Sequence, residues 1–322
     1  MESTRTVQAV DVSKDRSLMD EVLAVWGKLE NKEVFVVLVA AWLALFHFLG
    51  NSTFGYINSP SMFGWVLSIY DTTPDDSHGR LIPFAVLVLL WLKREELLAI
   101  PQSLWPPGLL LLAGCAFLHW TGYLFQQTRV SAAAFFLGLY SIFGLTWGRR
   151  WMRASLFPFV LFAFCIPITA WVDPVTVPLR MFATSVTHFI CHGLLGLNVV
   201  RHGTQLSDAA SGMDFDVVAA CSGIRSILAL TALTSIYSML AFRSTWRRWV
   251  VFSSSIPISL LCNIIRLVCV ILAADFFGRE AGLFVHEWFG FVTYAIAIVL
   301  VLGLAGLLKE SAPAAPPASP AP

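Results

Sequence analysis

PVTVPLRMFATSVTHFICHGLLGL, residues 174–197, is apolar enough to be mistaken for a membrane span, yet it holds Pro178, Arg180, His188 and His192. Its reading sets the direction of every helix after it. Counted as a span, it puts Arg243, Arg247 and Arg248 outside, against the enrichment of Lys and Arg in short cytoplasmic loops; laid along the outer surface, it keeps them inside. The second reading is adopted, with residues 174–197 as an amphipathic segment on the outer surface.

The rest of the chain fits a polytopic membrane protein. Of 322 residues, 57% are hydrophobic and 13% charged, and the mean hydropathy is +0.74. No soluble domain of this length is so apolar. Crossing about 30 Å of hydrocarbon takes about 20 mostly apolar residues, with backbone groups satisfied inside the element, so helices are expected. The candidate spans are 34–49, 81–92, 107–125, 130–147, 154–171, 221–242, 249–273 and 286–308. The expected fold is therefore all-α, an integral membrane bundle of about eight transmembrane helices, with kinks or ends at Pro83, Pro158, Pro167 and Pro257.

With the N-terminus inside, fourteen Lys and Arg fall in inner segments and five (Arg80, Arg129, Arg180, Arg201, Arg279) in outer ones; Arg225 and Arg266, within spans, complete the 21. Both termini are thus expected in the cytoplasm. Residues 1–33 lack the order of a signal peptide, and Leu18, Val22, Val25, Trp26 and Leu29 recur at the spacing of an amphipathic surface helix. Residues 34–308 form the membrane domain, and the Ala/Pro/Ser-rich tail, 309–322, is expected to be disordered.

Polar outposts mark the last three spans. Ala220-Cys221-Ser222-Gly223-Ile224-Arg225 puts a thiol at a helix start, where unsatisfied N–H groups and the positive end of the dipole favour the thiolate. Arg225, four residues on, adds positive potential from the same face. Gly223 leaves room for a substrate backbone. Asn263-Ile264-Ile265-Arg266 supplies a fixed cation suited to an oxyanion or carboxylate, with Asn263 on its face. His286 opens the last span and can carry a proton between thiol and leaving amine. Nucleophile, oxyanion donor and acid/base group together suit acyl transfer through a thioester.

Blander readings apply to each residue singly. A Cys in an apolar helix is usually a small core residue, which is the reading of Cys115, Cys165, Cys191, Cys262 and Cys269. Arg266 alone can pair with Asp275 or Glu287, Arg225 can snorkel, and His286 can be an interfacial hydrogen-bonding residue. It is their joint placement that favours a site. Cysteine spacing suggests no disulfide framework, and His188 and His192 lack a third metal ligand. No metal or cofactor is expected, nucleotide motifs are absent, and no nucleic-acid partner is indicated.

These motifs, in this order over consecutive helices, resemble the exosortase/archaeosortase family of membrane transpeptidases. Asp76-Ser77-His78-Gly79-Arg80-Leu81-Ile82-Pro83 looks like the family's Ser-His-Gly block, and Arg201-His202-Gly203-Thr204-Gln205-Leu206 like its Arg-x-Gly segment. The resemblance, over about 34–308, implies cleavage near a C-terminal sorting signal of the PEP-CTERM kind: a motif, a transmembrane helix and a basic tail on an exported protein. It implies Cys221 as nucleophile, Arg266 as electrostatic stabiliser, His286 as third catalytic residue, and transfer to an acceptor at the outer face of the plasma (inner) membrane. Ser222, Gly223, Arg225, Asn263 and His78 are supporting positions, with His78 read as holding the loop 51–77. The rival reading is a transporter with Arg225, Arg266 and His286 lining an anion or proton path; no internal repeat favours it.

Overall fold

A computed structural model describes residues 17–53, 57–208, 213–216, 224–242 and 244–308. The chain forms two compact units, one of Met1–Ser68 and Leu81–Ile166, the other of Ile69–Arg80 and Pro167–Pro322.

The first unit contains α1 (Leu18–Gly27), α2 (Lys32–Phe48), most of α3 (Met62–Thr72), α4 (Ile82–Leu92), α5 (Arg94–Leu98), α6 (Pro107–Leu124), α7 (Thr128–Trp147) and α8 (Arg149–Val160). Ser17 and Asp20 close a capping box at the start of α1, each side chain accepting from the other's backbone N–H at 3.2 Å. The helix expected near the N-terminus is thus present, and it leaves Leu18, Met19 and Leu23 exposed. At the centre, the Trp42 indole N–H donates to the Phe135 carbonyl at 3.0 Å, and Phe46 and Phe63 meet the Phe135 ring edge-on. Asn51 closes the loop after α2: its amide donates to the Ser59 carbonyl at 2.7 Å, and its Oδ1 accepts from the Thr53 and Thr128 hydroxyls, each at 2.7 Å.

The expected span 154–171 is interrupted. Pro158 lies inside α8, the chain tightens to a 3₁₀ turn over Leu161–Cys165, and Ile166 is extended with ψ 123°. Pro167 explains the break, because its ring disfavours helical backbone at the residue before it.

The second unit holds the 3₁₀ segment Pro74–Arg80, α9 (Thr169–His188), the π-helical turn Phe189–Leu194, β1 (Val199–His202), β2 (Gln205–Asp208), β3 (Met213–Asp216), α10 (Ile224–Ala241), α11 (Thr245–Phe277) and α12 (Arg279–Leu307). The sheet corrects the all-α expectation. Its strands pair antiparallel in the order β1-β2-β3, and His202 pairs with Gln205 across the two-residue loop Gly203-Thr204. Gly203 takes φ +64°, which a glycine adopts without strain. Each strand has only four residues, too few for a clear alternation in sequence, and their burial comes from outside the sheet. Leu197, Val199 and Leu206 pack on Leu267, Val270, Ile271 and Ala274 of α11.

The segment that opened the sequence reading is helical through α9 and the π turn, with its polarity inverted. Arg180, Thr184 and Thr187 are buried, while Val177, Met181, Phe182 and Phe189 are exposed. Among the described residues four helices are long and apolar enough to cross a membrane, α6, α7, α11 and α12; α4 and most of α10 are shorter apolar helices. At 33 residues α11 is about 50 Å long, well beyond about 30 Å of hydrocarbon, and the sheet packs on its last turns. Gly278, with φ +87°, joins α11 to α12.

A Cβ on Gly138 would fall on the buried Trp42 indole. Gly138→Ala is expected to destabilise the first unit by about 1–3 kcal/mol, read as a lower melting temperature of detergent-solubilised protein; Gly114→Ala, with no atom within 4 Å of the added carbon, is the matched control.

Candidate active site

The last three helices meet along a polar seam. Ser255, Ser259, Asn263 and Arg266 repeat at three- and four-residue steps of α11, so they stack on one helix face. Lower in the seam, the Ser255 and Thr231 hydroxyls join α11 to α10 at 3.0 Å. Between the same helices, Leu230, Phe242, Val251, Cys262, Ala297, Val301 and Ala305 form an apolar core. Small residues on α12 let the backbones approach, as in tightly packed membrane helices.

Higher up, the seam opens into a narrow crevice, partly open to the surroundings, lined by Ser226 and Leu230 of α10, Ser259, Cys262, Asn263 and Arg266 of α11, and Thr293, Tyr294 and Ala297 of α12. Asn263 is buried. The Ser259 hydroxyl, also buried, has no hydrogen-bond partner among the described residues. Thr293 donates to its own helix, at 3.0 Å to the Phe289 carbonyl. Hydroxyls and one amide, which both donate and accept, thus make up the polar lining together with one permanent cation.

Arg266 lies against α12 where Gly290 has no side chain: Nη1 is 3.5 Å from where a Gly290 Cβ would be. Arg266 and Gly290 are equally distant in sequence from Gly278, so the hairpin itself sets them opposite each other. His286 is one turn before Gly290 on the same face of α12 and is half-buried. The structure therefore brings Arg266, Asn263 and His286 onto the facing sides of one hairpin. It differs from the sequence expectation in one respect. His286 does not open its helix, because α12 starts at Arg279, after the turn at Gly278.

Cys221, Ser222 and Gly223 lie outside the described residues, and Arg225 falls in the first turn of α10. The tail 309–322 and most of the segment before α1 lie outside as well. His78 is half-buried in the 3₁₀ segment Pro74–Arg80, which packs against α10. That segment is tied to the end of α3: Arg80 pairs with Asp71 and lies 5.8 Å over the Tyr70 ring, and a Cβ on Gly79 would strike the Tyr70 hydroxyl. Gly79 is fixed by that contact.

Ser226, Ser259 and Thr293 are the polar lining residues that sequence reasoning did not pick out. The signal was present for Ser259, one turn before Asn263, but serines in a membrane helix usually bond their own backbone. Tyr294 lines the crevice, while Trp288 and Phe291 on the same helix are exposed. His188 and His192 stack with ring centroids 5.2 Å apart, and His192 Nδ1 is 3.0 Å from the Leu197 carbonyl oxygen. Among the described residues no group of three His, Cys, Asp or Glu can hold a metal ion. Cys115, Cys165, Cys191, Cys262 and Cys269 are free thiols.

The family model described as transmembrane exosortase matches residues 65–303, from the first turn of α3 into the last turns of α12. The chain belongs to the transmembrane exosortase family. No curated protein and no solved structure gives a significant match. Exosortases are membrane cysteine peptidases and transpeptidases, so the polar seam of α10, α11 and α12 belongs to an exosortase fold and is the candidate site for that chemistry.

The glycine gap opposite Arg266 is open to test. Gly290→Ala adds a carbon at ordinary contact distance and is expected to leave substrate processing within about twofold, whereas Gly290→Leu displaces the guanidinium and lowers processing roughly tenfold or more. Cleavage of a co-expressed substrate, compared at equal protein level and equal melting temperature, checks both.

Proposed function

We propose that this exosortase is a membrane-embedded cysteine transpeptidase that cuts C-terminal sorting signals of exported proteins and passes the product to an acceptor. The observation that carries the reading is the facing of Arg266 and Gly290 across the α11–α12 hairpin, one turn from His286 and beside the helix that follows Cys221. The cut lies at the outer membrane–water interface. Loop charges favour this orientation, with both termini in the cytoplasm of a cell whose plasma membrane holds about eight spans of the chain.

In the reaction, the Cys221 thiol gives its proton to His286, and Sγ forms a bond to the scissile carbonyl carbon. The carbonyl π electrons move onto oxygen. Arg266 donates N–H bonds to that oxyanion, in surroundings of low dielectric where such donors matter most. The carbonyl re-forms, the C–N bond breaks, and His286 returns the proton to the leaving amine. A thioester remains on Cys221. An acceptor X–H then loses its proton to His286 while X bonds to the thioester carbon; a second oxyanion passes through the same Arg266 donors, and the thiolate leaves. Water as acceptor gives hydrolysis by the same steps.

Asn263, one turn from Arg266, holds the orientation of the guanidinium in this scheme, and Arg225 adds positive potential near the thiolate. The substrate's own transmembrane helix lies in lipid beside α10–α12, its recognition motif above it and its basic tail on the inner side. Family membership favours this chemistry over the transport reading.

Cys221→Ala and Cys221→Ser are expected to abolish shortening of a co-expressed tailed substrate on a gel; undiminished processing refutes the nucleophile assignment. Arg266→Lys keeps a charge and loses the fork of donors, and is expected to slow processing by about 10²–10³-fold. In intact cells Cys221 should react with an impermeant thiol reagent added outside. Reaction only after the membrane is opened would invert the proposed orientation.

A further inference from the structure

Among the described residues, every buried hydroxyl on α10, α11 and α12 but one donates to a carbonyl of its own helix. Thr234, Ser235, Ser238, Ser255 and Thr293 all do so. The exception is Ser259, which is 1% exposed and has no hydrogen-bond partner. A serine inside a helix ordinarily bonds a carbonyl three or four residues back. A buried hydroxyl left unmatched is costly, so its partner is to be sought in what the crevice holds.

The surroundings of Ser259 indicate that partner. Counted outward from the turn at Gly278, Asn263 stands opposite Thr293 and Ser259 opposite Ala297, and all four line the crevice. Ala297 presents only a methyl group, so α12 offers Ser259 no hydrogen-bonding side chain at its own level. The crevice has room for about one water molecule, and not for a substrate side chain or a lipid chain. Acceptors stand one turn nearer Gly278. Thr293 gives its hydrogen to its own helix, at 3.0 Å to the Phe289 carbonyl and 3.1 Å to that of Gly290, which leaves lone pairs on Oγ1. The side-chain oxygen of Asn263 can accept more than one hydrogen bond. A water that accepts from Ser259 and donates to Thr293 and Asn263 makes about three hydrogen bonds, the usual complement of a buried water.

We propose that an ordered water in this crevice links Ser259 to Asn263 and, across the hairpin, to Thr293, and that Ser259 is thereby a positioning residue for Arg266. The link fixes the Asn263 amide. That amide, one turn from Arg266, holds the plane of the guanidinium at the gap of Gly290. The inference rests on the reading of Arg266 as the donor to the oxyanion. Ser259 and its water touch neither substrate nor reacting atoms, and no bond or proton changes hands there. Because the oxyanion exists only during the reaction, a misaligned guanidinium lowers kcat and leaves KM in place.

Two measurements test this. In an experimental structure of the full chain that shows ordered water, a density peak is expected about 2.7–3.2 Å from the Ser259 hydroxyl oxygen and within reach of Thr293 and Asn263. A dry crevice between ordered side chains, or the elongated density of a lipid chain, overturns the proposal. The second measurement is kinetic, with the full chain reconstituted in lipid and a synthetic substrate of motif, apolar helix and basic tail. Ser259→Ala is expected to lower kcat about tenfold with KM within about twofold. Ser259→Thr and Ser259→Val add the same bulk and differ only in the hydroxyl; the first is expected to be about fivefold faster, and equal rates overturn the proposal. In an Arg266→Lys background, which lacks the fork that Asn263 orients, Ser259→Ala is expected to add less than about twofold. A full tenfold loss there marks a merely structural role and overturns the proposal. If Ser259→Ala does not fold, the Thr and Val pair and the water density decide. Failure of the Arg266 reading is distinct, because Arg266→Lys would then process substrate normally whatever stands at position 259.

Discussion

A guanidinium that never loses its charge lies deep in a long, largely apolar helix, and the second unit is organised around giving it a place. An arginine at the centre of a membrane helix costs at least about 2.5 kcal/mol on insertion scales, so its surroundings are specified narrowly. Gly290 clears a gap on α12, Asn263 and Ser259 continue the polar face of α11, and Ser226, Thr293 and Tyr294 close the crevice from both neighbours. The turn at Gly278 keeps α11 and α12 in register. A different turn length would bring a bulkier side chain to the position of Gly290.

Two consequences follow for the rest of the unit. In the apolar core shared by α10, α11 and α12, the α12 side is built from Ala297, Val301 and Ala305, which keeps the helices close. At 33 residues α11 exceeds the hydrocarbon thickness, and its final turns become the floor for a three-stranded sheet that follows α9 in the chain. The sheet, the π turn and the buried polar face of α9 form a cap on the protruding hairpin. The excursion Ile69–Arg80 completes the unit from the other half of the chain.

Much of this was legible from residues alone. The run of apolar segments, the asymmetry of Lys and Arg, and the spacing of Asn263 to Arg266 depend on the solvent and on helical period, which act locally. Pro167 could be read as a break for the same reason, although the strict length of 154–171 disguised it. The sheet was not legible. Val199, Leu206 and their neighbours have too short an alternation to announce strands, and what buries them is the end of a helix some sixty residues away. Ser259 looked like any helical serine until its hydroxyl was placed on the crevice.

By itself the sequence determined that the chain is a helical membrane protein, that its later helices carry a thiol, an amide, a guanidinium and an imidazole in a set order, and that the motifs are those of an exosortase. These are matters of composition, period and order, and each is fixed within a segment. Tertiary structure alone decided that Arg266 faces the gap at Gly290 one turn from His286, that α12 begins well before that histidine, and that Asp76 and His78 leave their own half of the chain to pack beside α10. Such facts depend on which helix faces meet and where a backbone finds room, and those are settled only when distant segments compete for the same contacts.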